Sequence, residues 1–75
     1  MPLRFVSQYE TTVAYQDGDT LIILDISQRT LTVGDKVYGD NPLFPEGHRL
    51  TDVPAHIIVE LRERHPLAGL PENIP

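Results

Sequence analysis

The sequence predicts an α+β fold, in which a small antiparallel β-meander is followed by one helix and an extended, proline-rich tail. Residues 3–38 hold most of the threonine, valine, isoleucine and tyrosine, and apolar and polar side chains alternate along them. Six of the seven prolines lie at or after residue 42. Strand-forming residues therefore precede a segment that suits loops, a short helix and a tail.

The first strand is predicted over residues 3–16, with a bend near 10–12, because its odd positions are mostly bulky. Asp17-Gly18 is a strong signal for a two-residue hairpin turn into a second strand over residues 19–26. With that turn, Tyr15 is expected opposite Thr20. The apolar sides of the two strands then coincide, which supports the register.

Two further strands are predicted over residues 29–33 and 36–38. A two-residue loop at Ser27-Gln28 places Leu24 opposite Leu31 and continues the same apolar face. Gly34-Asp35 indicates a tight turn or a bulge before the last strand. The sequence leaves open whether that strand pairs back onto the third one, so the meander has three to four strands.

Both faces of the predicted sheet carry apolar side chains. The face expected to receive the helix consists of Phe5, Tyr9, Val13, Ile22, Leu24, Ile26, Leu31 and Val33. The second face consists of Val6, Ala14, Leu21, Ile23 and Val37, mixed with threonines. Because a curled sheet could use both faces, a small SH3-like or OB-like β-barrel is the alternative fold.

The helix is predicted over residues 53–64, with Thr51 or Asp52 as its cap and Pro54 in its first turn. Val53, Ile57, Ile58 and Leu61 share one side, and Glu60 with Arg64 forms an i,i+4 pair on the other. Residues 1–65 are therefore expected to form one domain. Residues 66–75 form an extended tail with Leu67, Leu70 and Ile74 as its apolar residues.

Composition excludes several classes of function. The 75 residues contain no cysteine, so disulfides and thiolate chemistry are absent. The net charge is −5 and no basic block exists, which argues against binding to nucleic acid or to an anionic membrane. The longest strongly aliphatic run, residues 21–24, is too short for a membrane span, and the N-terminus does not resemble a signal peptide. We expect a cytoplasmic protein or one within a soluble assembly such as a virion.

Residues that could perform chemistry are few. Among the three histidines, only His56 has a carboxylate, Asp52, at helical i,i+4 spacing, and a helix cap explains Asp52 better than a metal ligand does. Neither Ser7 nor Ser27 has the flanking glycines of a nucleophile elbow. In the predicted register Glu10 faces Asp25, and such a pair is a candidate acid–base site. We expect no catalytic residue, metal or cofactor.

The sequence therefore predicts a small non-catalytic protein that works by protein–protein contact, with a protein partner, self-association or both. The expected contact residues are Val6, Ala14, Leu21, Ile23, Val37, Leu67, Leu70 and Ile74. A structural subunit of a larger assembly, such as a bacteriophage virion accessory or capsid-decorating protein, suits this description. One alternative is a small acidic inhibitor or regulator that binds one enzyme, such as a host enzyme. A small enzyme or a ligand-binding barrel is the least favoured alternative.

Overall fold

The computed structural model describes residues 2–71 as a five-stranded antiparallel sheet and one helix. The strands are β1 (Arg4–Tyr9), β2 (Thr12–Asp17), β3 (Thr20–Asp25), β4 (Thr30–Val33) and β5 (Lys36–Gly39). A 3₁₀ turn (Leu50–Asp52) precedes the helix α1 (Ala55–Arg64). The α+β meander is confirmed. Because the strand order is β1-β2-β3-β4-β5, with β1 and β5 at opposite edges, the sheet is open and the barrel alternative is wrong.

The segment predicted as one long strand is a hairpin. β1 and β2 pair antiparallel, with Tyr9 opposite Thr12, and the chain reverses at Glu10, whose φ is 53°. A straight strand over residues 3–16 would extend about 46 Å, whereas the longest dimension of the molecule is 29 Å. The turn keeps both halves beside the sheet, although no glycine marks the position.

The β2–β3 register differs from the predicted one by two residues. Tyr15 lies opposite Ile22 rather than Thr20, and the turn residues are Gly18-Asp19, with Gly18 at a φ of 61°. A shift of two leaves every side chain on its predicted face, since side chains alternate with period two. The predicted pairing of Leu24 with Leu31 is confirmed.

The last strand pairs back onto the third predicted one. β5 runs antiparallel to β4, with Val33 opposite Lys36, so Gly34-Asp35 forms a two-residue turn. Gly34 has a φ of 64°, a conformation that glycine adopts without steric cost. This pairing settles the alternative that the sequence left open.

The helix begins two residues later than predicted. The backbone carbonyl of Pro54 accepts the first helical hydrogen bonds, from the amides of Ile57 and Ile58, and no side chain caps the helix. Asp52 instead accepts hydrogen bonds from the backbone amides of Gly47 and Arg49, at 3.1 and 3.0 Å. Neither Thr51 nor Asp52 is therefore the cap of α1. Asp52 instead binds backbone amides of the segment that precedes α1.

One apolar cluster joins α1 to a single face of the sheet, called here the inner face. Its buried residues are Leu3, Val13, Tyr15, Ile22, Leu24, Leu31, Tyr38, Leu50, Val53, Ile57, Ile58 and Leu61. Ile57, Ile58 and Leu61 of the predicted helix side are buried on α1, and Val53, which precedes α1, is buried with them; each of the four is at least 98% buried. The core thus lies between α1 and the inner face.

A polar clamp fastens the start of β1 to α1. The Leu3 amide donates to the Glu60 carboxylate at 2.6 Å, and the Leu3 carbonyl accepts from the Arg64 guanidinium at 2.7 Å. Glu60 and Arg64 form the predicted i,i+4 ion pair, also at 2.6 Å. The Arg64 guanidinium lies 5.0 Å from the centre of the Tyr15 ring. The Glu60–Arg64 pair therefore also holds the start of β1 against α1.

Loop 40–48 covers the edge of β5 that does not pair with β4. The Gly39 amide donates to the His48 carbonyl at 2.9 Å, and the His48 ring lies 3.2 Å from the Val37 carbonyl. A Cβ added at Gly39 would lie 2.7 Å from the Phe44 ring, so the ring packs directly on that backbone. One edge of the sheet is therefore occupied by the chain itself, while β1 pairs with β2 alone.

Candidate interaction surface

The face of the sheet opposite α1, called here the outer face, has a continuous row of side chains across all five strands. Facing residues of neighbouring strands share a face, and the registers place Ser7, Ala14, Ile23, Thr32 and Val37 in one such row. Most of the row is apolar or carries a methyl group. The core residues of α1 pack with side chains of the inner face, and none of this row belongs to that buried cluster.

Four of the predicted contact residues come together on this face. Leu21 and Ile23 are two apart on β3, and Ile23 lies opposite Ala14. Leu21 and Val37 are 42% and 41% exposed, and Ala14 and Ile23 are partly buried by their neighbours in the sheet. An isoleucine, a leucine and a valine that share one face of the sheet are what a docking partner could cover.

Val6, the fifth predicted sheet residue, lies in a β-bulge. The register shifts between Phe5 and Ser7, so that Val6 and Ser7 both stand opposite Ala14. Val6 is 47% exposed. The bulge places Val6 beside the outer row, at the edge of the sheet.

Phe5 and Tyr9 were predicted on the covered face and are instead exposed, at 55% and 77%. The bulge reverses the alternation along β1, so Tyr9 lies opposite Thr12 on the outer face, whereas Phe5 lies opposite Tyr15 on the inner face. Phe5 still meets the Tyr15 ring edge-on, with 6.0 Å between ring centres. Sequence alternation cannot reveal a bulge, because an inserted residue leaves no compositional mark.

Acidic residues lie at both ends of the sheet, where the outer face ends. Asp19 and Asp35 lie in the turns at one end of the sheet, and Glu10 follows β1 at the other end. Asp25, at the end of β3, accepts hydrogen bonds from the Ser27 hydroxyl and the Gln28 amide, both of which are neutral. These four carboxylates leave the rim of the face negatively charged.

Few cations in residues 2–71 oppose those carboxylates. Arg29 is paired with Asp40 at 2.8 Å and also donates to the Gly69 carbonyl. Lys36 lies opposite Val33, on the inner side, 5.2 Å from the centre of the Tyr38 ring. Arg4, opposite Gln16 at the outer edge, is the one cation whose register position lies on the outer face.

The tail residues have separate locations. Leu67 is 98% exposed, directly after α1, whereas Leu70 is partly buried against the core of its own chain. The hydrogen bond from Arg29 to the Gly69 carbonyl, at 2.8 Å, holds this part of the tail against the β3–β4 turn. Ile74 lies outside the described residues. Of the two tail leucines that the structure describes, Leu67 is the one free to meet another molecule.

The candidate acid–base pair does not form. Glu10 lies in the β1–β2 turn, and Asp25 lies opposite Thr12 and Thr30. Asp52 and His56, the pair at i,i+4 spacing, have separate partners: Asp52 accepts from the amides of Gly47 and Arg49, and the His56 ring lies 3.0 Å from the Asp17 carboxylate. Within residues 2–71, no group of three histidine, aspartate or glutamate side chains could hold a metal ion.

Sequence reasoning missed an apolar groove beside β5. Val37, Leu43, Phe44, Pro45 and His48 line it, and Leu43 is 89% exposed. The run Leu43-Phe44-Pro45 within a turn-rich segment was the available signal. The groove begins at Val37, so it extends the apolar part of the outer face past the edge of the sheet.

Within residues 2–71, no helix is long and apolar enough to cross a membrane. Comparison with protein-family models, curated proteins and solved structures finds no match to this chain. Its function must therefore be inferred from its own surfaces.

Proposed function

We propose that this protein is a non-catalytic subunit that acts by protein–protein contact through the outer face of its sheet. The supporting observation is that α1 packs on the inner face, while Leu21, Ile23 and Val37 lie on the opposite face of the sheet, with Leu21 and Val37 exposed. A small chain that leaves one face of its sheet uncovered has apolar area available for another protein. A structural role in a larger assembly fits this character best.

The rim of the face favours a partner of a particular chemistry. Asp19, Asp35, Glu10 and Asp25 border the apolar strip, and only Arg4 offsets them there. A partner surface with an apolar centre and lysines or arginines around it would be attracted to this face. The long-range attraction should weaken as salt rises, because exposed charges are screened over about 8 Å at physiological ionic strength.

A matched pair of variants tests the proposal. Val37 on the outer face and Val59 on α1 are 41% and 44% exposed, so Val37→Lys and Val59→Lys make the same chemical change at similar exposure. Tagged versions of the protein, V37K and V59K would be purified from the native source, and the associated proteins identified by mass spectrometry. We expect a defined partner that is retained by V59K and lost or strongly reduced with V37K.

Equal recovery of the partner with both variants, or recovery of none with the unmodified protein, would contradict a role for the outer face. The identity of the partner separates the candidate roles. Components of one assembly support a structural subunit, whereas a single enzyme inhibited by the purified protein supports the regulator alternative. A Leu67→Ser variant tests separately whether the exposed tail leucine contributes to binding.

A further inference from the structure

We propose that two copies of this protein associate through their β1 edges, forming one continuous ten-stranded sheet. β1 is the open edge, because its described pairing is with β2 alone. All six of its residues are exposed. An uncovered edge strand presents unpaired backbone amides and carbonyls, which readily accept another strand.

The charge distribution makes the β1 edge the part of the molecule where two copies repel each other least. The chain carries a net charge of −5, yet Arg4 is the only charged residue in the segment 2–9. Two β1 strands can therefore approach without bringing carboxylates together. In an antiparallel pair the two arginines lie at opposite ends, about 13 Å apart along the strands, because the bulge sets Arg4 and Tyr9 opposite residues four apart on β2; this exceeds the screening length of about 8 Å.

The bulge selects the register of such a pair. In a continuous sheet, facing residues must share a face, and the bulge places both Arg4 and Tyr9 on the outer face although they are five residues apart. Arg4 of one copy therefore faces Tyr9 of the other, a cation beside an aromatic ring. By the same rule Phe5 faces Gln8, both on the inner side, and Val6 faces Ser7.

The same geometry favours one defined dimer. A bulge disfavours pairing with a regular strand, but two copies bring identical bulges to the two-fold axis. Loop 40–48 occupies the other edge at Gly39 and Val37, through the His48 carbonyl and ring, so within residues 2–71 that edge is less available to continue the sheet. An association that uses one patch on each copy closes as a dimer and does not grow into a filament.

The first test is the molecular mass in solution over a range of concentrations, by sedimentation equilibrium. We expect a reversible monomer–dimer equilibrium. Val6→Lys should weaken dimerisation by about tenfold or more, because it places two like charges near the axis. Val59→Lys, at a matched exposure of 44% against 47%, should leave dimerisation unchanged. A monomer at every concentration, or equal effects of the two variants, would overturn the proposal.

The second test uses the absence of cysteine from the chain. In the variant R4C/Y9C the two cysteines of one copy are about 13 Å apart along the strand, too far for an internal disulfide. Across the dimer their Cα atoms would be about 4.5–5.5 Å apart, within disulfide range. Mild oxidation should give a covalent dimer, whereas R4C alone and Y9C alone should cross-link far less.

Equal cross-linking of the single and double variants would refute this register, even if V6K failed to fold. The result is also separable from the outer-face proposal. A monomer that still loses its partner through V37K overturns the dimer and leaves the proposed function intact.

Discussion

Removing Arg64 should detach the start of β1 from the helix. Arg64→Ala takes the guanidinium from the Leu3 carbonyl, 2.7 Å away, and from the Glu60 carboxylate, 2.6 Å away. Leu3 itself is only 2% exposed, so its carbonyl loses a charged donor at a partly buried site. That loss is worth about 1–2 kcal/mol. The ion pair, with Arg64 34% exposed, and the contact with the Tyr15 ring contribute about 0.5 kcal/mol each.

Together these terms predict that Arg64→Ala lowers the free energy of unfolding by about 2–3 kcal/mol. In a domain of this size the melting temperature should fall by about 10–20 °C. Urea denaturation followed by circular dichroism measures the free energy directly. Arg64→Lys keeps the charge but not the planar fork, so about half of the loss should remain.

The local consequence is equally specific. Hydrogen exchange in Arg64→Ala should accelerate in β1 more than in β3 or β4, because the clamp holds β1 alone. Glu63→Ala, which alters an exposed carboxylate on the same helix, should change stability by less than about 0.5 kcal/mol. If Arg64→Ala behaves like that control, or if exchange in β1 is unaffected, the clamp does not stabilise the edge strand.

Three further substitutions test the core and the loops. Ile58→Ala, at a fully buried position, should cost about 3 kcal/mol in urea denaturation; a loss below 1 kcal/mol would contradict the packing. Gly39→Ala brings a Cβ to 2.7 Å from Phe44 and should lower the free energy of unfolding by about 1–3 kcal/mol. The same substitution should cost much less in a Phe44→Ala background, and additive losses of stability in the double variant would refute the contact. Tyr15→Phe removes the hydroxyl 2.7 Å from His65 and should cost about 1 kcal/mol in thermal melts; no change would mean that water replaces it.

Local patterns in the sequence were sufficient for much of the fold. The side of the helix that contains Ile57 and Leu61 follows from 3.6-residue periodicity, and the pairing of Leu24 with Leu31 follows from alternation around a two-residue loop. Even the wrong β2–β3 register kept every side chain on its face, because an error of two residues preserves parity. Because side chains alternate along a strand, the residues of β2, β3 and β5 that lie on the outer face were also predictable.

Features that depend on distant contacts were not predictable. The reversal at Glu10 has no glycine to mark it, and the bulge at Val6 alters which face Tyr9 occupies without altering composition. The candidate site was therefore predicted in part. Ala14, Leu21, Ile23 and Val37 do lie together, but the exposed Tyr9 was assigned to the wrong face and Leu70 packs on its own core.

By itself, the sequence determined a β-meander with one amphipathic helix, and apolar side chains on both faces of the sheet. Those properties are periodic, and periodicity is local. Tertiary structure decided which surfaces remain available: the sheet stays open, α1 covers one face, and loop 40–48 closes one edge. The clamp from Leu3 joins residues 57 and 61 positions apart. Such contacts depend on how the elements meet in three dimensions, which no local pattern encodes.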